Sequence, residues 1–399
     1  MIKHIRQTYN QNFTAEKYQA FLKDIEQEHN HVPSFRIAET PIFIPRLLKE
    51  RIVEACNQIT DSICQPDFKE KTQGALAESV DVPNEDEHTL FLQMDFGICK
   101  DEKGEFTPKL IEVQGFPSLY FFQDLLANTY RKNFDIPEGF QSLLDGMTFE
   151  EYRQLMKEVI VGDADPKNVV LLEIEPKKQL TQIDFWEAER QLGIKSICVS
   201  EVIKEGRKLY YMADNGEKTA IDKAFYRVIF DELDQREDLK LDFSFKDDLD
   251  IEWIGHPNWF YRISKYTMPF LDSQYVPKTF FVDELEQYPE DLENYVLKPL
   301  YSFAGAGVVF HVQKSDLEAL PADRLHDYIL QEKVVYEPVL EAPDGGVKCE
   351  IRMLMLWKKE WARPKLVNNL TRLSKGEMIG VRFNKDKEWV GASVGFFEE

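Results

Sequence analysis

The spacing of apolar and polar positions divides the chain into regular segments. In "PRLLKERIVEACNQITDSI", residues 45–63, Leu47, Leu48, Ile52, Val53, Cys56 and Ile59 share one stripe, which predicts an amphipathic helix. "TLFLQMDFGICKD" and "FTPKLIEVQGF" follow as two strand-like runs joined by the polar turn "KDEKGE", the pattern of a β-hairpin. "LYFFQDLLANTYRKNF" then predicts a helix. Further on, "NVVLLEI" is a short continuous apolar run expected of a buried strand. "QIDFWEAERQLGI" is an amphipathic helix ending at glycine, and "KSICVSEV" is another strand. Strand, helix and strand in succession predict a βαβ unit with a parallel sheet. "KLYYMADNG" supplies a strand and an Asn-Gly turn, and "AFYRVIFDEL" closes the region near residue 250. After that, strand and loop signals alternate through "YVPKTFFV", "NYVLKPL", "AGVVFHV", "YILQEKVV", "CEIRMLMLW" and "RPKLVNNLTRLS", with a helix-like "LEALPADRLHDY" among them. The pattern predicts a mixed α/β (α+β) chain in three regions, 1–160, 161–255 and 256–399, without an internal repeat.

Composition narrows the classes. The 399 residues are 43% hydrophobic and 13% aromatic, enough for a sizeable core and against disorder. The net charge of -22, with no dense Lys/Arg run, argues against nucleic acid as a partner and is expected of a solvated surface. Cys56, Cys64, Cys99, Cys198 and Cys349 are odd in number and show no CxxC spacing, which argues against a disulfide framework and fits a reducing compartment. The polar start "MIKHIRQTYNQNF" has no signal-peptide core, and no apolar run approaches the roughly 18 residues of a membrane span. A cytoplasmic protein without a membrane partner is expected.

Two stretches carry candidate chemistry. In "NYVLKPLYSFAGAGVVF", Lys298 ends a strand and faces a loop containing Gly305 and Gly307. Small residues let backbone amides approach an anion, and a lysine adds a point charge. The GxxxxGK[ST] of a P-loop is missing, and an ordinary hairpin with a glycine turn has the same look. About thirty residues later, Gln331, Glu332, Lys333 and Val334 end a strand whose main-chain groups can meet a purine edge. Glu337 beyond them can accept from ribose hydroxyls. Glu350 and Arg352 then alternate on one strand face, followed by Arg372 and Asn384. Each charge taken singly also reads as a surface residue of a half-exposed strand.

The second stretch is "KLIEVQGFPSL", where Glu112 interrupts an apolar strand and is costly to bury without a partner. Asp95 of the preceding strand can face it if the two are in phase. Two close carboxylates repel unless a cation lies between them; the alternative is that Glu112 pairs with a buried arginine. The Gly115-Phe116-Pro117 break either ends the strand or turns the chain over a phosphate site.

The succession "VLKP", glycine loop, "LQEKV", "EIR", "RLS" and a later Asn resembles the ATP-grasp superfamily. Its members usually finish with an acid on one strand and "EVN" or "EIN" on the next, and no such strand follows "VGASVGFFEE" here. Instead "FLQMDFGI" and "KLIEVQGFPSL" look like that metal hairpin, placed before the nucleotide loops. This order is similar to the circularly permuted ATP-grasp enzymes, among them glutathionylspermidine synthetases and eukaryotic glutathione synthetases. The resemblance implies an ATP-grasp fold in permuted order around an inserted Rossmann-like pre-ATP-grasp βαβ domain. It implies ATP and Mg2+, with Asp95, Glu112 and Gln114 (where Asn is usual) as metal ligands. Lys298 and either Lys265 or Lys278, with Lys265 favoured, would meet the phosphates, and Arg352 and Arg372 the transferred phosphoryl group. The implied reaction joins a small-molecule carboxylate to an amine or thiol through an acyl phosphate, with Arg227 and Asp231 near the acceptor. Two rivals remain. One is phosphotransfer through His311 or His256. The other is ATP binding without catalysis, for which the Gln114 departure is the hint.

Overall fold

The computed structural model describes residues 2–77, 80–301, 306–376, 379, 384 and 386–399. The predicted hairpin is realised as β2 (Phe91–Lys100) and β3 (Phe106–Gln114), antiparallel, with Asp101 Oδ1 closing the turn by accepting from the Lys103 and Glu105 amides at 3.0 and 2.9 Å. β2 pairs on its other side with β16 (Gly345–Leu356), β16 with β17 (Lys365–Ser374), and β17 with β18 (Gly391–Ser393). β15 (Pro338–Ala342) folds back on the start of β16.

Residues opposite one another in this sheet share a face, so the registers sort its side chains into two layers. One layer holds Leu92, Met94, Phe96, Ile98, Val113, Ile351 and Met353, all packed in the largest core. That core also takes Leu48, Ile52, Cys56 and Ile59 of the helix Arg46–Ile63, and Leu126 and Tyr130 of the helix Tyr120–Asn133. Each such side chain contributes about 1.5–3 kcal/mol by leaving water. Leu47, expected on the stripe of the first helix, is exposed instead. The other layer holds Gln93, Asp95, Glu112, Gln114, Glu350, Arg352 and Arg372. Asp95 stands opposite Glu112, and Phe96 opposite Leu110, which leaves Ile111 as the extra residue of a bulge.

The second sheet is the predicted parallel one. β5 (Val169–Glu173), β6 (Lys195–Cys198), β10 (Lys223–Tyr226) and β11 (Glu252–Ile254) lie in the order β11–β10–β5–β6, with every pair parallel. The helix Gln182–Leu192 crosses from β5 to β6 and ends at Gly193, whose φ of 73° suits a left-handed cap. The strand expected over "KSICVSEV" stops at Cys198, where a 3-10 turn begins. An antiparallel meander, β7 (Ile203–Glu205), β8 (Lys208–Met212) and β9 (Lys218–Ile221), is inserted before β10.

A third sheet, β12–β14–β13, joins Thr279–Phe281, Tyr328–Glu332 and Tyr295–Pro299, all antiparallel. "AGVVFHV" was expected to be a strand, but its described part contributes one bridge, Val309 to Leu297. Far along the chain, β1 (Ile42–Ile44) runs parallel to β19 (Gly395–Glu398), with β4 (Phe140–Gln141) on β19's other side. Early and late segments therefore share a core that extends from Tyr9 to Phe397. Among the described residues no helix is long and apolar enough to cross a membrane.

Candidate active site

The polar layer of the large sheet is densely charged. Asp95, 1% exposed, accepts from Arg352 Nε at 2.6 Å and Nη2 at 2.7 Å, and from Arg372 Nη2 at 2.5 Å. Burial alone would raise this carboxyl, but Arg352 and Arg372 hold it below its ordinary range. Arg372 also grips Glu350, and Tyr336 Oη donates to the other Glu350 oxygen at 3.0 Å. Burial pushes Glu350 up to about 6, with Arg372 opposing and with Asp95 and Glu112 adding repulsion. Tyr336 reaches this layer because Gly97 has no side chain: a Cβ there would lie 2.8 Å from the Tyr336 ring and 2.9 Å from Val334 Cγ1. Asp95 is sealed by two arginines, and it is the acid with the buried arginine partner that was the alternative for Glu112.

Glu112 lies in a different setting. It is partly exposed and accepts from Gln114 Nε2 at 2.5 Å. Lys298 approaches from β13, and its Nζ donates to the Ile111 carbonyl at 3.2 Å and to Gln331 Oε1 at 2.5 Å. The bulge explains the first contact, because an extra residue frees its carbonyl from the ladder. Gln331 is held in turn by donating to Thr279 Oγ1 at 3.2 Å. Burial pushes Lys298 down to about 8; Glu112 and Glu350 oppose this and Lys265 adds to it. Lys265 donates to the Leu300 carbonyl at 3.2 Å. It too is lowered by burial, against the pull of Glu112 and Asp231. Two ammonium groups desolvated by burial thus act on the partly exposed Glu112. Desolvated ammonium groups drawn together in this way suit a polyanion.

The other predicted residues lie around this centre or away from it. Gly307 has φ 73°, and a Cβ there would sit 3.1 Å from Pro299. Gly305 lies outside the described residues. Glu332 stands opposite Tyr295, and its carboxylate accepts from the Lys278 backbone amide at 3.2 Å. The Lys333 amide donates to the Asn294 carbonyl at 2.8 Å, and its Nζ to the Glu293 carbonyl. Val334 packs over Gly97, and Glu337 pairs with Lys100 at 3.4 Å. Asn384 accepts from Ser374 Oγ at 3.1 Å and from the Lys375 amide at 3.2 Å, so it fastens a loop.

The Gly115-Phe116-Pro117 break crosses the segment Trp259–Ile263 at close range. Gly115 donates to the Ile263 carbonyl at 2.8 Å, and a Cβ there would lie 2.2 Å from the Trp259 carbonyl, so glycine permits a close backbone crossing. Phe116 lies 4.6 Å beneath the guanidinium of Arg227, a buried residue whose Nε and Nη1 have no partner. His256 is 2% exposed, with one ring nitrogen 3.1 Å from the Pro83 carbonyl and the other 3.3 Å from the Asn258 amide; it caps a helix and is closed to phosphoryl transfer.

Sequence reasoning gave no role to two contributors and a different one to a third. Glu350 was placed on the correct face without a role, though its alternation with Arg352 was the signal. Tyr336 had no local signal beyond its nearness to Glu337. Gln331 was noted for its main chain but acts through its side chain. Among the described residues no group of three or more His, Cys, Asp or Glu is arranged to hold a metal. Mg²⁺ commonly takes only one or two carboxylates, with waters and phosphate oxygens completing its shell. Glu112 fits that demand, with Gln114 Oε1 and Glu350 beside it, whereas Asp95 in this arrangement does not.

No family model and no curated protein sequence matches the chain. Among solved structures, a glutathione synthetase-like effector from Globodera pallida, in apo form, superposes with a TM-score of 0.59 over 96% of both chains at 12% identity. A protein of Methylobacillus flagellatus KT provisionally described as gamma-glutamylcysteine synthetase gives a TM-score of 0.39 over 84% of both chains, also at 12% identity. The first likeness establishes a shared fold, and the second is too distant to carry an argument.

Proposed function

We propose that the chain is an ATP- and magnesium-dependent ligase that joins a small-molecule carboxylate to an amine through an acyl phosphate. The observation that carries the proposal is the pair Lys298 and Lys265, brought from different elements over Glu112 and both desolvated. The fold shared with a glutathione synthetase-like protein supports it. The architecture we infer is an ATP-grasp domain in permuted order. Residues 1–160 carry the acidic hairpin, 161–255 form the pre-ATP-grasp-like unit, and 256–399 the nucleotide-binding part. Pairing of β2 with β16 and of β1 with β19 supports that order, because each joins an early strand to a late one.

In this reading Lys298, Lys265 and the loop around Gly305 and Gly307 hold the phosphates. With the Lys333 amide engaged by Asn294, the Lys333 carbonyl and the Val334 amide are left for the adenine edge, and Glu337 for the ribose. Glu112, Gln114 and Glu350 would hold magnesium, which supplies charge neutralisation at the β- and γ-phosphates. Asp95 keeps Arg352 and Arg372 rigid, and Arg372, partly exposed, faces the transferred phosphoryl oxygens. Positioning and charge are the protein's share of the work. A carboxylate oxygen of the acid attacks the γ-phosphorus and ADP leaves. The amine nitrogen then attacks the acyl carbon, phosphate leaves with the C–O electron pair, and the amine gives up a proton. Arg227, with two unpartnered nitrogens, is a candidate for contact with substrate near the acceptor.

Release of ADP over pools of carboxylates and amines, with mass spectrometry of the products, tests the reading. ADP and phosphate should appear only when an acid and an amine are both present, with a product at their summed mass less water. ATP binding without turnover in any pool would favour a binding protein, and an acid-labile phosphohistidine would favour phosphotransfer.

A further inference from the structure

We infer that Arg262 is a positioning residue for Lys265, tying that lysine's backbone to Lys69, Thr72, Gln73 and Glu85 of the first region; this deepens the phosphate role given to Lys265 and rests on the ligase reading. Arg262 is 2% exposed and ends the short helix Pro257–Arg262. Its guanidinium holds Glu85 bidentately, with Nε donating to Oε1 at 2.5 Å and Nη2 to Oε2 at 3.0 Å. Nη1 donates to the Lys69 carbonyl at 2.7 Å and to Thr72 Oγ1 at 3.4 Å, and Nη2 donates to Gln73 Oε1 at 2.8 Å. Every N–H donor of the side chain is thus engaged by one stretch of early chain. The neighbours join it there: Asn258 Nδ2 donates to Asp81 Oδ1 at 2.9 Å, and Trp259 Nε1 to the Asp86 carbonyl at 3.3 Å. A Cβ on Gly74 would lie 2.2 Å from the Tyr266 hydroxyl, so glycine lets the residue beside Lys265 settle onto the same stretch.

The joint reaches Lys265 along two routes. Through the backbone, Thr267 Oγ1 donates to the Arg262 carbonyl at 2.7 Å, which closes the turn where Lys265 begins the 3-10 segment Lys265–Phe270. Through the side chain, Lys265 Nζ donates to the Leu300 carbonyl, and the next residue, Tyr301, donates its hydroxyl to the Ala75 carbonyl at 3.3 Å. A further tie joins the same segment to the acidic hairpin: the Ile263 carbonyl accepts from the amide of Gly115, which lies shortly after Glu112 in the chain. The segment 262–267 is therefore fixed to both the hairpin and the early chain, and the placement of Lys265 against Glu112 depends on both. A planar fork that meets a carboxylate bidentately holds such a joint in one orientation, whereas the point charge of a lysine does not.

The test labels the full chain with limiting acetic anhydride, reads the extent at Lys265 and Lys298 by peptide mass spectrometry, and measures Mg-ATP affinity by calorimetry. Arg262→Lys keeps the charge and loses the fork. Glu85→Gln keeps the shape and loses the charge, and it carries the test if the first variant does not fold. In both, Lys265 should be acetylated at least about fivefold faster than in the parent, with Lys298 within about twofold, and Mg-ATP should bind roughly tenfold more weakly. A joint that serves stability alone lowers the melting temperature but leaves Lys265 labelling and Mg-ATP affinity within about twofold of the parent's, which overturns the inference. A rise at Lys298 equal to that at Lys265 overturns it too, since it marks general loosening. Faster labelling of Lys265 without a loss of Mg-ATP affinity also overturns it, because the positioned lysine then meets no phosphate. A parent that fails to bind Mg-ATP overturns the ligase reading itself, while the labelling still decides whether Arg262 positions Lys265.

Discussion

Asp95 and Glu112 face each other across one hairpin but belong to two electrostatically different regions. On the Asp95 side, Arg352 and Arg372 hold a carboxylate that is closed to solvent, while Arg372, partly exposed, reaches on to Glu350. On the Glu112 side, two lysines desolvated by burial, Lys298 and Lys265, act on a partly exposed carboxylate. A balanced, buried network holds geometry but gains little from a ligand, since its charges are already satisfied. Desolvated ammonium groups beside a partly open carboxylate gain from a ligand that brings negative charge. The same sheet face thus carries a scaffold and a receptor side by side.

The comparison can be broken first on the scaffold side. Arg352→Ala should cost apo stability about 3–5 kcal/mol, because it leaves Asp95 buried with half its compensation. Denaturant unfolding measures this, and a loss below about 1 kcal/mol would mean that Asp95 is not sealed. On the receptor side, Lys298→Ala should leave apo stability unchanged or raised, since a desolvated ammonium is removed. The same change should weaken Mg-ATP binding by about 2 kcal/mol, roughly thirtyfold, by calorimetry.

A smaller effect concerns pH. Burial pushes Glu173 up from its ordinary 4.5 to about 8, with Arg227 opposing. The folded protein then keeps a proton that the unfolded chain releases above about pH 4.5, so this contribution to stability is lost as pH rises from there through about 8. Melting temperatures at pH 6 and pH 9 should differ by a few degrees from this source, and Glu173→Gln should reduce the difference. An unchanged difference in that variant would mean that Glu173 is already ionised at neutral pH.

How much of this could be read from the chain depends on the range of each interaction. The hairpin was legible because period-two alternation is local, and Asp95 and Glu112 proved to be in phase. The bulge at Ile111 was not, because nothing in "KLIEVQ" marks the extra residue. The arginine grip on Asp95 joins residues 257 positions apart, and it depends on the register between β2 and β16, which no local pattern encodes. The parallel sheet was legible from buried runs separated by a helix. The helices Lys3–Asn12 and Ala15–His29 were missed because their buried sides are small: Phe21 and Ile25 are the fully buried residues of the second. The residue types of the site, Lys298, Lys265, Glu112, Arg352 and Arg372, were legible as a set. Which carboxylate each cation would meet was not, because that is decided by tertiary pairing.

The most direct test of the contrast is Glu112→Gln, measured twice on the same sample: apo unfolding free energy, then the shift in melting temperature on adding millimolar Mg-ATP. If Glu112 belongs to the receptor, apo stability changes by no more than about 1 kcal/mol, as for other partly exposed charges, while the Mg-ATP shift seen in the parent collapses. A loss of about 3–5 kcal/mol with the Mg-ATP shift intact would make Glu112 a structural acid like Asp95 and contradict the account.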